Sequence, residues 1–167
     1  MSGQTLPGLV GLIIAMANPL AASAADPCDA LYKAGIKSLQ TPHHVYTTST
    51  RSGGKPRAGE AIYAGGVEYL QLNGKWQRSP LPQQEMVEAA QEKLKTHPET
   101  CTLVGDQSAD GQAVSVYKVR DKDSGTEQLV RILKSNGLLE GSTVTLPDGS
   151  VVETRYEYTN VRAPTVS

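Results

Sequence analysis

The first twenty-five residues of this chain carry no charged side chain, and the 167-residue whole contains no phenylalanine, one tryptophan, two cysteines and three histidines. Each scarcity narrows the reading. The cysteines show no C-x-x-C spacing and no neighbouring histidine, so a thiol-redox motif or a cysteine-based metal site lacks its partners. Neither sign of charge dominates: sixteen basic side chains stand against seventeen acidic ones. A nucleic-acid binder shows a basic stripe, and none is present. The same near-neutrality argues against electrostatic docking on an anionic membrane surface. No G-x-S-x-G elbow, phosphate-cradling glycine loop or dinucleotide fingerprint occurs. No catalytic constellation and no cofactor motif stands out, so the chain reads as a non-enzyme without a cofactor.

Residues 1–25 run apolar from Leu9 to Leu20, apart from Asn18 and Pro19, and end in Ala21, Ala22, Ser23, Ala24 and Ala25. This is the layout of a signal peptide, with Ala22 and Ala24 filling the small pockets before the cleavage point. The segment departs from that pattern in having no Lys or Arg ahead of the apolar run. The rival reading is a membrane anchor, but the run is shorter than the roughly 20 residues that span a bilayer, and Pro19 interrupts it. Cys28 follows Ala25-Asp26-Pro27, a poor context for lipidation. The chain therefore predicts export, a bacterial periplasmic location, and a single domain over 26–167 with no integral membrane segment after cleavage. In an oxidising compartment Cys28 and Cys101 read as one disulfide.

Secondary structure follows from period and punctuation. Asp26 to Leu39 predicts a helix, with Asp26 as cap and Pro27 in the first turn. From residue 43 the period changes to two. Strands are expected at 43–52, 59–64, 67–72 and 75–78, with Asn73-Gly74 as a hairpin turn that tolerates positive φ at both positions. A second helix over 83–96 carries Met86, Val87, Ala90 and Leu94 on one stripe. Further strands are expected at 101–107, 112–120, 127–134, 139–146 and 151–161. In the last of them Val152, Thr154, Tyr156 and Tyr158 share one face, while Glu153, Arg155 and Glu157 share the other, as in a sheet with one wet side. The sum is an α+β fold: a long, curved antiparallel sheet, half-open as an incomplete barrel, with about two covering helices.

Two short helices cover such a sheet incompletely and leave a groove. Tyr69, Leu72, Trp76, Tyr156 and Tyr158 are the candidate lining residues, with plain sheet packing as the competing role for each aromatic. His43 and His44 adjoin on a strand and point to opposite faces, so they do not form one site. They and His97 read as surface or strand-start histidines, and no metal site is expected.

The run G-V-E-Y-L-Q-L-N-G-K-W-Q-R-S-P (Gly66 to Pro80) followed by a helix resembles the central segment of small exported proteins of the LolA/LolB-like superfamily. Leu129 to Glu140 (LVRILKSNGLLE) and Thr154 to Pro164 (TRYEYTNVRAP) resemble its later strand-turn and closing-strand segments, although Leu139 stands where a proline is common. The resemblance implies a half-open β-barrel around an apolar cavity. It implies binding of a lipid-like ligand or of lipoprotein acyl chains, or alternatively a protein-protein or stress-sensing role in the envelope. No specific binding side chain is carried over by the match.

Overall fold

The computed structural model describes residues 26–166. The expected signal peptide lies outside the described residues. The elements run α1 (Pro27–Gln40), β1 (His43–Thr50), β2 (Arg57–Ala64), β3 (Val67–Leu72), β4 (Lys75–Arg78), α2 (Gln83–Thr96), β5 (Glu99–Ala109), β6 (Gln112–Asp121), β7 (Glu127–Leu133), β8 (Leu139–Thr145) and β9 (Val151–Glu157). The nine strands form one antiparallel sheet in the order β4-β3-β2-β1-β9-β8-β7-β6-β5. The sheet is curved and does not close, so the fold is the half-open α+β architecture expected from the sequence.

Local chemistry explains each element. Asp26 accepts a hydrogen bond from the Cys28 amide at 2.8 Å and Pro27 occupies the first turn, so α1 starts where its orphan amides are satisfied. Asn73 and Gly74 adopt φ of 53° and 75°, the geometry of a two-residue hairpin turn between β3 and β4. Asp110 and Gly111 do the same between β5 and β6, with φ of 48° and 77°. Two meanders result, β1 to β4 and β5 to β9, and the pairing of β1 with β9 welds them into one sheet.

The core sits on both sides of that sheet. Leu31 and Ala34 of α1 pack on Val119, Val130 and Ile132, with Cys101, Tyr117 and Leu139 at the margin. A second cluster gathers Val114, Val116, Leu133 and Leu138. The Cys28–Cys101 disulfide, spanning 73 residues, ties the start of α1 to β5. α2 buries only Val87 fully, with Met86, Ala90 and Leu94 half-buried on the expected stripe. Its ends are tethered to α1. Gln83 donates to the Leu39 carbonyl, and the His97 ring lies 3.1 Å from an Asp26 oxygen and 3.2 Å from an Asp29 oxygen.

His43 is the first residue of β1, as the strand-start reading expects, but it does not lie on the surface. It is 1% exposed, stacked on Tyr63 at 4.3 Å and flanked by Tyr156 and Tyr158. Its position at the sheet centre, between β2 and the β9 side, accounts for the burial.

Candidate functional site

α1 and α2 cover the inner face of the curved sheet only in part, and an open cleft of about 280 Å³ remains beneath them. Leu31, Tyr32 and Gly35 of α1, Ala90 of α2, and Cys101, Val119, Val130, Leu139 and Tyr156 of the sheet line it. The walls are apolar because β6, β7 and β9 each turn every second residue inward. Gly35 is the one residue of α1 whose missing side chain creates space, since a Cβ built there meets nothing within 4 Å.

Polar side chains line the cleft as well: Lys93, Glu99, Gln128 and Ser142. The Glu99 carboxylate accepts from the Tyr32 hydroxyl and, at 2.9 Å, from Lys93 Nζ. Burial alone would raise the Glu99 pKa, but these two hydrogen bonds outweigh it and hold the carboxyl below its ordinary 4.5. Burial, together with the Glu99 hydrogen bond, pushes the Tyr32 hydroxyl well above its ordinary 10.0. The rim is therefore a fixed anion-cation pair capped by a neutral phenol.

Below the cleft lies a further network. Ser38, 1% exposed, accepts from the Leu139 amide at 2.9 Å, and the Tyr158 hydroxyl lies 3.0 Å from Ser38 and 2.8 Å from the Leu139 carbonyl. Burial pushes the Tyr158 hydroxyl up to about 12.

The five residues singled out from sequence divide between the two faces. Tyr156 lines the cleft, and Tyr158 joins α1 to β8 beside it. Tyr69 pairs with Ile62 across β2, and Ile62 pairs with His44, so all three share the opposite face. Trp76 stands edge-on to His44 at 6.1 Å on that same face. Leu72 is at the β3–β4 hairpin and 49% exposed. The cleft residues that sequence reading missed are Leu31, Gly35, Val119, Val130 and Leu139. Their alternation was visible, but no local signal says which strands share a face with α1.

The outer face holds a cavity of about 480 Å³ with a different character, lined by Tyr46, Thr48, Arg131, Glu140, Glu153 and Arg155. Arg131 donates to Glu140, and Arg155 lies over the Tyr46 ring at 4.8 Å. Gly141 beneath is obligatory, since a Cβ there would collide with the Arg131 guanidinium and the Thr154 carbonyl. Although larger, this cavity offers charge rather than an apolar bed. Among the described residues no three His, Cys, Asp or Glu side chains are grouped to hold a metal ion. No helix among them is long and apolar enough to cross a membrane.

No protein-family model matches the chain, and no curated protein matches it significantly in sequence. Solved structures do match. The Mycobacterium tuberculosis lipoprotein LppX superposes with a TM-score of 0.51 at 12% identity, covering 84% of this chain and 100% of LppX. MucB in complex with periplasmic MucA superposes with a TM-score of 0.54 at 16% identity, covering 83% of this chain and 57% of MucB. A chain of the Pseudomonas aeruginosa MucA/MucB complex matches at a TM-score of 0.51 and 16% identity, covering 83% and 59%. The chain thus spans little more than half the length of the MucB structures. At these identities the shared property is the fold, and the LolA/LolB-like resemblance read from the sequence is borne out at that level.

Proposed function

We propose that this chain is an exported, non-enzymatic binding protein that holds a single lipid-like chain in the cleft under α1 and α2. The observation that carries the reading is the cleft itself: a mostly apolar bed on the inner sheet face, open to solvent, with the Glu99–Lys93 pair at its rim. Its volume of about 280 Å³ lies at the lower edge of the range for small-molecule sites, roughly 300–1,000 Å³. That size suits one acyl chain or part of one, and not a multiply acylated lipid taken in whole. The disulfide suits an oxidising compartment, and residues 1–25 supply the expected export signal, so the periplasm is the proposed location.

A second reading, a module that binds another envelope protein, draws on MucB, whose fold is shared and whose structure is solved with MucA. Native mass spectrometry of the chain purified from a periplasmic extract separates the two. The binding reading expects an added mass that organic extraction releases as an acyl chain or lipid. A bare polypeptide mass together with a stoichiometric protein partner would replace it with the second reading.

A further inference from the structure

The Lys93–Glu99 pair at the cleft mouth is lopsided in what it leaves free. Both Glu99 carboxylate oxygens are engaged, one by the Tyr32 hydroxyl and the other by the Lys93 ammonium, and the side chain is only 10% exposed. Lys93 uses one of its three ammonium donors and is 55% exposed, so two donors remain without a partner among the described residues. The neighbouring charges are engaged elsewhere. The His97 ring faces Asp26 and Asp29, and Lys122 donates to the His97 carbonyl at 2.6 Å. Asp121 accepts from the Asp123 and Ser124 amides of its own turn. Gln128 and Ser142, the other polar lining groups, are uncharged. What the mouth holds in excess is a cationic donor.

The far end of the cleft has a different character. The Cys28–Cys101 disulfide marks where α1 begins, beside Glu99, and the Ser38 bond to the Leu139 amide marks where it ends. No charged side chain other than Lys93 and Glu99 lines the cleft, and its floor towards the end of α1 is Val130, Leu139 and Tyr156. We infer that Lys93 selects the head of the ligand: the cleft takes a single-chain amphiphile whose anionic end, a carboxylate or a phosphate, sits on the Lys93 ammonium while the tail runs along α1 towards Leu139 and Tyr156. This rests on the reading of the cleft as an acyl-chain site and adds the charge and the direction of what enters it. An ionised head gains a charge-assisted hydrogen bond, which is stronger than the one an alcohol of the same length can accept. A cationic head meets the exposed ammonium before it meets the covered Glu99 carboxylate, and is repelled.

Equilibrium binding of dodecanoic acid, dodecyl phosphate and dodecanol to the disulfide-bonded chain, at neutral pH and low ionic strength, tests it. The wild type should bind the anions at least about five-fold tighter than the alcohol, and added salt should narrow that ratio. Lys93→Gln should bring the ratio close to one, while Lys93→Arg should keep it. Glu99→Gln, which removes the internal counter-charge, should widen it. Thermal unfolding of each variant shows that folded proteins are being compared. A preference for the phosphate over the carboxylate, or the reverse, supports the inference and separates the two sources of the head. Equal affinity of the wild type for anions and alcohol, or a preference that survives in Lys93→Gln, overturns the inference and leaves the acyl-chain site standing. Binding of neither anion nor alcohol overturns both.

Discussion

His43 contributes one part of the acid response of this protein. Its ring donates from Nδ1 to the Thr41 carbonyl at 2.6 Å and stacks on Tyr63, and burial holds its pKa below the ordinary 6.5. A base whose folded pKa is depressed stays neutral in the native state while the unfolded chain protonates, so stability falls as pH drops below about 6.5. Glu99 acts in a separate window. Its carboxyl is held below 4.5, so its contribution is present above that value and is lost as pH falls further. Denaturant midpoints of wild type and His43→Asn should therefore converge between pH 7.5 and 5.5, because the variant lacks the acid-labile group. The variant is also expected to be less stable at neutral pH by about 2–3 kcal/mol, the scale of a cavity left by a buried ring. Parallel pH profiles would show that His43 is not the titrating group. The reading of His43 from sequence as a strand-start residue placed it correctly along the chain. Its burial depends on Tyr156 and Tyr158, more than a hundred residues away, and no local pattern carries that information.

At the scale of elements, α1 does most of the structural work on the inner face and α2 acts as its outer companion. α1 contributes Leu31 and Ala34 to the core, Ser38 to the Tyr158 network and Cys28 to the disulfide. α2 buries Val87 alone and is tied to α1 at both ends. Replacing both cysteines by serine should lower stability by about 4 kcal/mol on the chain-entropy model for a loop of this length. The urea midpoint measures it, and an unchanged midpoint would mean that packing alone fixes α1 on β5. The elements themselves were largely legible. Asn73-Gly74 announced its hairpin because both residues tolerate positive φ. Asp26-Pro27 announced the start of α1. Strand ends were less legible: β5 starts at Glu99 and runs to Ala109, beyond the expected 101–107, because its pairing with β6 continues to the turn.

For the molecule as a whole, the site depends on the β1–β9 weld, which joins residues at opposite ends of the chain. That pairing decides which alternating set faces the helices. It turns Tyr156 inward and Tyr69 and Trp76 outward, and strand periodicity alone is blind to the difference because a one-residue shift exchanges the faces. The apolar character of the groove was legible and its floor was not. The most informative lining position is Gly35 on the α1 side, where the open space beside a missing Cβ lets a leucine fill the cleft from within α1. Leucine in place of glycine also favours the helix by roughly 1 kcal/mol, so occupancy and stability change in opposite directions. Titration of the purified chain with a single-chain fatty acid, followed by displacement of a fluorescent apolar dye, is the most direct test of the cleft. The wild type should bind saturably at one site, and Gly35→Leu should lose at least about ten-fold in affinity while unfolding at the same or a higher temperature. Equal affinity in the two proteins, or no binding by the wild type, would contradict the assignment of the cleft as the binding site.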